Sequence, residues 1–158
     1  MNKIEELLEE SLSIIETAKE INAMIVNKPN VLISGLPGSG KTSITKEWAK
    51  KKGIPLVSYD LSRDLTFIYK EDEYGILRKV KAENPVDIAK QFVFDTLIKY
   101  KNKGDFILFL DDYHLATKEN LEAIYYTMDY NKIQNPITKE EVELDNLLFT
   151  IAIKTDYK

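Results

Sequence analysis

The sequence predicts an α/β fold: a three-layer αβα sandwich around a mostly parallel sheet of about four strands. Three observations carry this. Short runs that are apolar throughout alternate with longer amphipathic segments, the pattern of a parallel sheet covered on both faces. A glycine-rich turn, ISGLPGSGKTS at Ile33–Ser43, separates the first apolar run from a helical pattern. A second run, FILFL at Phe106–Leu110, ends on the aspartates Asp111 and Asp112.

The elements follow in order. Ile4, Leu8, Leu12, Ile15, Ala18, Ile21 and Ile25 recur at steps of three and four, which predicts an N-terminal amphipathic helix within residues 1–28. Lys28-Pro29-Asn30 breaks it, and Val31-Leu32-Ile33 reads as a buried strand. Residues 40–52 form a helix with Ile44 and Trp48 inward, stopped by Gly53, and Pro55–Tyr59 reads as the next strand. Within 62–83, LTFIYK and ILRKVK flank EDEYG, either as a hairpin with Gly75 in its turn or as a polar insertion. Asn84-Pro85 starts a helix that runs to Lys103-Gly104, capped by the asparagine and carrying the stripes Val86-Ala89-Val93-Leu97 and Ile88-Phe92. After Phe106–Leu110, Thr117 caps a helix facing inward through Leu121, Ile124, Tyr125 and Met128. A polar connection, NKIQNPITKEEVELDN, leads to a fourth strand at Leu147–Ile153.

Composition bounds the function. The 158 residues are 44% hydrophobic and 30% charged, suited to one globular domain whose nucleotide-binding core spans 30–158. With no cysteine, disulfides and thiolate metal sites are excluded. The net charge is -4 and the only arginines are Arg63 and Arg78, so nothing resembles a general nucleic-acid surface. Lys50-Lys51-Lys52 suits the negative end of a helix. The acidic N-terminus is no secretory signal and the apolar runs are too short to span a bilayer; a cytoplasmic protein without membrane partners is expected.

Gly35 and Gly40-Lys41-Thr42 satisfy G-x-x-x-x-G-K-[ST], the Walker A or P-loop signature. The glycines let backbone N–H groups converge on an anion, and the following helix turns its positive end to the same phosphates. Gly35, Pro37, Gly38, Ser39, Gly40, Lys41, Thr42 and Ser43 are therefore the expected nucleotide contacts. Lys41 reaches the β- and γ-phosphates, and the Thr42 hydroxyl ligands Mg²⁺. A long apolar strand ending in acids resembles Walker B: Asp111 would hold the metal's shell with Thr42, and Asp112 would polarise the attacking water. ATP and Mg²⁺ are the implied ligands.

The order of P-loop, hydrophobic strand with acid pair, helix and further apolar strand resembles the AAA+ ATPase core, a P-loop NTPase fold, from roughly Asn30 to Asp156. In that family the strand after Walker B ends in a polar sensor that touches the γ-phosphate or its water. By position alone the candidate is Thr155, with Lys154 and Asp156 as alternatives. The insertion at 62–83 and the later polar connection resemble the MoxR and dynein-related branches. The resemblance departs at Asp112, where a glutamate is usual, although aspartate pairs occur in replication-initiator and STAND-type relatives.

The family's arginine finger and helical lid lie beyond the sensor strand, and no arginine follows Arg78. The expectation is a homo-oligomer or a partner chain that supplies them, and an exposed edge at Val31–Ile33 unless something covers it. His114 reads as a loop residue packing locally rather than as a general base. The tyrosines at 124–130 read as core and rim rather than a stacking platform, and Arg63 and Arg78 as solvated surface. Three functions compete: an ATPase module coupling hydrolysis to remodelling of a protein or nucleic-acid partner, a small P-loop kinase acting on a metabolite or nucleoside, and a non-hydrolysing nucleotide-sensing adaptor. A kinase needs several arginines to clamp the moving phosphoryl group, which this sequence lacks.

Overall fold

The computed structural model describes residues 2–21 and 28–156. The elements are α1 (Lys3–Glu20), β1 (Asn30–Gly35), α2 (Lys41–Lys52), β2 (Leu56–Ser58), β3 (Phe67–Glu71), β4 (Leu77–Lys81), α3 (Pro85–Leu97), β5 (Phe106–Leu110), α4 (Lys118–Tyr130), β6 (Lys132–Gln134), β7 (Glu141–Glu143) and β8 (Leu147–Thr155). Strands β1, β8, β5 and β2 form one sheet in that order, and every pairing is parallel. All four C-terminal ends therefore open on the same edge.

Two cores sandwich the sheet. On one face Val31, Ile33, Ile107, Phe109, Ile151 and Ile153 pack against Leu8, Leu12 and Ile15 of α1 and Trp48 and Ala49 of α2. On the other, Val57, Phe106, Leu108, Leu110 and Ala152 meet Ala89, Val93 and Leu97 of α3 and Ala123 and Ile124 of α4. Every residue of β5 is buried, as its uninterrupted apolar run requires. Burying each such side chain contributes about 1.5–3 kcal/mol.

Helix α1 is fixed by more than apolar contact. The Trp48 indole N–H donates to Glu9 Oε1 at 3.0 Å, and Lys52 pairs with the same carboxylate at 2.6 Å. The Lys52 hydrogen bond, the largest influence, holds the Glu9 carboxyl below its usual range. Among the described residues α1 ends at Glu20, and Ile25 of the anticipated stripe lies outside them. Strand β1 pairs with β8 alone among the described strands, so it is an edge as anticipated. α1 covers the face carrying Val31 and Ile33, while Leu32 on the other face remains 54% exposed.

Several local expectations need correction. Thr45, not Ile44, is the fully buried residue of the first turns of α2. Asn84 stands before α3, but its side chain makes no capping bond. The α-helix ends at Leu97 and passes into a single 3₁₀ turn, Ile98–Tyr100, well before Lys103. In α4 the buried positions are Asn120, Ala123, Ile124 and Thr127, and Tyr125 is 41% exposed. The polar connection contains the antiparallel hairpin β6–β7, and the last strand runs on to Thr155. The 62–83 segment needs no correction: it contains the anticipated hairpin, β3–β4, with Gly75 at φ +76° in its turn.

Candidate nucleotide-binding site

The candidate residues converge at the C-terminal edge of the sheet, where parallel α/β sheets bind ligands. β1 ends at Gly35, the chain turns through Pro37 and Gly38, and α2 starts at Lys41. Gly38 and Gly40 hold φ of +75° and +81°, left-handed values that cost other residues about 1–2 kcal/mol. Gly35 has a different reason to be glycine. A Cβ there would lie 3.5 Å from Ser39 Oγ and 3.9 Å from the Lys41 ammonium, inside the loop.

Lys41 is 6% exposed. Its Nζ donates to the carbonyls of Gly35 at 3.1 Å and Leu36 at 2.8 Å, and to Ser39 Oγ at 3.1 Å. No carboxylate pairs with it among the described residues. The loop thus encloses a cation with no carboxylate partner among the described residues. Pro37, Gly38, Ser39 and Ser43 are exposed around it.

Across the loop, Thr42 Oγ1 donates to Asp111 Oδ1 at 3.2 Å, joining residues 69 positions apart. Asp111 is fixed further by the Asp112 N–H, which donates to the same oxygen at 2.9 Å. Asp112 is exposed, with φ 53° and ψ 43°, and opens the 3₁₀ turn Tyr113–Leu115. Thr155 is in register with Gly35 across the β1–β8 ladder, and the Asp156 N–H donates to the Gly35 carbonyl at 2.8 Å. The three strand ends carrying the P-loop, the acid pair and the candidate sensor are therefore adjacent.

The fit to a polyphosphate with a divalent ion is good on this chain's own terms. A Cβ at Gly35 would come into contact with Ser39 Oγ and the Lys41 side chain, the enclosed ammonium has no carboxylate partner among the described residues, and the Thr42 hydroxyl next to it is hydrogen-bonded to the Asp111 carboxylate. Among the described residues no cluster of three histidine, cysteine or acidic side chains could hold a metal by itself.

Sequence reading missed two features. The His114 imidazole Nδ1 accepts the Thr155 N–H at 3.1 Å, tying the turn after the acids to the end of β8. Asn120, fully buried, ties the loop after β2 to α4. Its Oδ1 accepts the Tyr59 hydroxyl at 2.9 Å, and its Nδ2 lies within bonding distance of the Leu61 and Arg63 carbonyls and Thr117 Oγ1. Burial pushes the Tyr59 hydroxyl up to about 12. A histidine after two acids and an asparagine in a helix's first turn are local hints, but neither sequence position reveals its distant partner. Both arginines are engaged: Arg63 lies 4.1 Å over the Phe92 ring, and Arg78 pairs with Asp72 at 2.6 Å.

A loop folded round an enclosed ammonium at the head of a helix, facing an aspartate at the end of a buried strand one place over in the same sheet, defines a P-loop nucleotide-binding fold. More narrowly, residues 31–152 match the family model "ATPase family associated with various cellular activities (AAA)", and the chain belongs to that family. No curated protein matches the sequence. Among solved structures, a P216G mutant of Thermotoga maritima RuvB is similar over 96% of this chain at 18% identity and a TM-score of 0.51. NtrX from Brucella abortus is similar over 90%, at 14% identity and a TM-score of 0.49. The chain spans 39% of that RuvB chain and 30% of that NtrX chain. At these identities the first likeness supports the fold and no more. No helix among the described residues is long and apolar enough to cross a membrane.

Proposed function

We propose that this chain binds ATP with Mg²⁺ and hydrolyses it slowly, coupling the cycle to remodelling of a protein or nucleic-acid partner in the cytoplasm. The observation that carries the reading is the enclosed Lys41 ammonium, with Thr42 and Asp111 hydrogen-bonded beside it. Loop amides and Lys41 bind the β- and γ-phosphates. Thr42 and Asp111, hydrogen-bonded to each other, would hold the divalent ion, directly or through its waters. The ion supplies charge neutralisation on the transferring phosphoryl group.

Asp112 orients the attacking water and takes up its proton. The water oxygen bonds to the γ-phosphorus as the bond to the β–γ bridging oxygen breaks, giving ADP and phosphate. Thr155 positions the same water or the γ-phosphate from the β8 side. Turnover by the chain alone is slow, because Arg63 and Arg78 are both engaged away from the loop. A second copy or a partner supplies the missing cation, for which the usual gain is about 10³–10⁵ in rate.

Calorimetry with Mg·ATP and single-turnover phosphate release test this together. Wild type binds and releases phosphate, whereas Asp112→Asn binds with unchanged affinity and releases none. Absence of binding by wild type overturns the whole reading. Binding without release reduces the site to a nucleotide sensor.

A further inference from the structure

We propose that His114 is a positioning residue for ATP hydrolysis, a strut that holds the turn carrying Asp112 at a fixed distance from Thr155. The inference rests on the hydrolytic reading above. Its basis is the 3.1 Å contact in which His114 Nδ1 accepts the Thr155 backbone N–H, across 41 residues of sequence. A backbone N–H only donates, so Nδ1 serves here as the lone-pair nitrogen.

Asp112 needs such a strut. It lies in left-handed backbone space, which aspartate tolerates without preferring, and it projects from a turn of only three residues. Within the turn, the Leu115 N–H closes on the Asp112 carbonyl at 2.9 Å. That bond shapes the turn but does not place it relative to the neighbouring strand. The imidazole does. It reaches from the second residue of the turn to the end of β8, which the Asp156 N–H already fastens to the Gly35 carbonyl at 2.8 Å.

The bonds form a circuit. From Gly35 it passes to the end of β8, through His114 to the turn, back along the chain to Asp111, and across to Thr42 beside Lys41. Asp112 and Thr155, the two groups proposed to share one water, sit on either side of the His114 contact. Opening the circuit there lets them drift apart while leaving the phosphate-binding loop intact. Misplacement by about 1 Å costs roughly a hundredfold in a reaction that depends on alignment.

The test compares His114→Asn, His114→Gln and His114→Leu. The asparagine Oδ1 branches from the same carbon position as imidazole Nδ1, whereas the glutamine amide lies one bond farther out. Single-turnover phosphate release should fall by about tenfold to a hundredfold in His114→Leu and His114→Gln, with His114→Asn within about threefold of wild type. Affinity for Mg·ATP stays within about twofold throughout, because the loop is untouched. Hydrogen exchange at the Thr155 amide accelerates in the two slow variants only.

Wild-type rates in His114→Gln overturn the proposal, as does equal slowing in the asparagine and glutamine variants. Affinity lost in step with turnover also overturns it, since that marks a general structural role. If His114→Leu fails to fold, the two amide variants still decide. A wild-type chain that binds ATP but releases no phosphate rejects the hydrolytic reading first, and the strut with it. Normal wild-type release with an indifferent His114 rejects the strut alone.

Discussion

Replacing Lys41 with methionine separates ligand binding from folding. The ammonium is 6% exposed and meets three oxygen acceptors at 2.8–3.1 Å, with no carboxylate partner among the described residues. Taking such a charge out of water costs several kcal/mol. Three charge-assisted bonds at about 1.5–3 kcal/mol each return a similar sum. The two nearly cancel, so Lys41→Met should unfold within about 1 kcal/mol of wild type.

Binding has no such compensation. At a ligand concentration of 100 Kd, wild type gains about 2.7 kcal/mol. For a chain of 158 residues that raises Tm by about 5–11 °C. Thermal denaturation followed by circular dichroism, with and without Mg·ATP, reads both quantities in one experiment. Lys41→Met should melt close to wild type without nucleotide and show a shift below about 2 °C with it. A full shift in the variant would refute the reasoning about the loop. A loss above about 3 kcal/mol without ligand would show that the lysine is chiefly a structural staple.

Other outcomes follow from named contacts. Gly35→Ala should fold normally, since its Cβ meets nothing closer than 3.5 Å, yet weaken Mg·ATP binding at least about tenfold by filling the loop; calorimetry checks it. Asn120→Ala should destabilise by about 2–3 kcal/mol in urea titration, because it leaves the Tyr59 hydroxyl only the longer contact to the Ala89 carbonyl and removes the donor to the buried Leu61 carbonyl and the half-buried Arg63 carbonyl. Tyr59, raised by burial to about 12, binds its proton more tightly folded than unfolded, where tyrosine titrates near 10. That contribution is complete below pH 10 and fades as pH rises toward 12, so Tyr59→Phe should flatten the alkaline fall in stability measured by urea titration.

What could be read from the sequence depended on how local each cause was. The uninterrupted apolar run at Phe106–Leu110 and the glycine spacing at 35–40 each reflect constraints on neighbouring residues, and both reappear in the sheet and loop. The acid pair needed only one further step, the end of a buried strand. The β6–β7 hairpin was hidden because each three-residue strand buries a single apolar side chain, Ile133 or Val142, too few to show alternation. On α4 the anticipated Leu121, Ile124 and Met128 do pack on the core, and only Tyr125 was misplaced, for another reason. Two of its buried positions, Asn120 and Thr127, are polar, so apolar periodicity pointed to Tyr125 instead. The cap at Asn84 failed although the residue type was right, since its side chain makes no hydrogen bond to the first turn. His114 was out of reach in principle, since its partner is a backbone N–H at the end of another strand.

The chain's one tryptophan has a practical use. Trp48 is 4% exposed and lies seven residues along α2 from Lys41, about 10 Å by helical rise. Its indole is hydrogen-bonded to Glu9, so the ring bridges the helix leaving the phosphate loop and the helix preceding it. Any tilt of α2 when the loop closes changes the surroundings of that indole. The molecule thus carries its own optical reporter of occupancy, readable by stopped flow without a label.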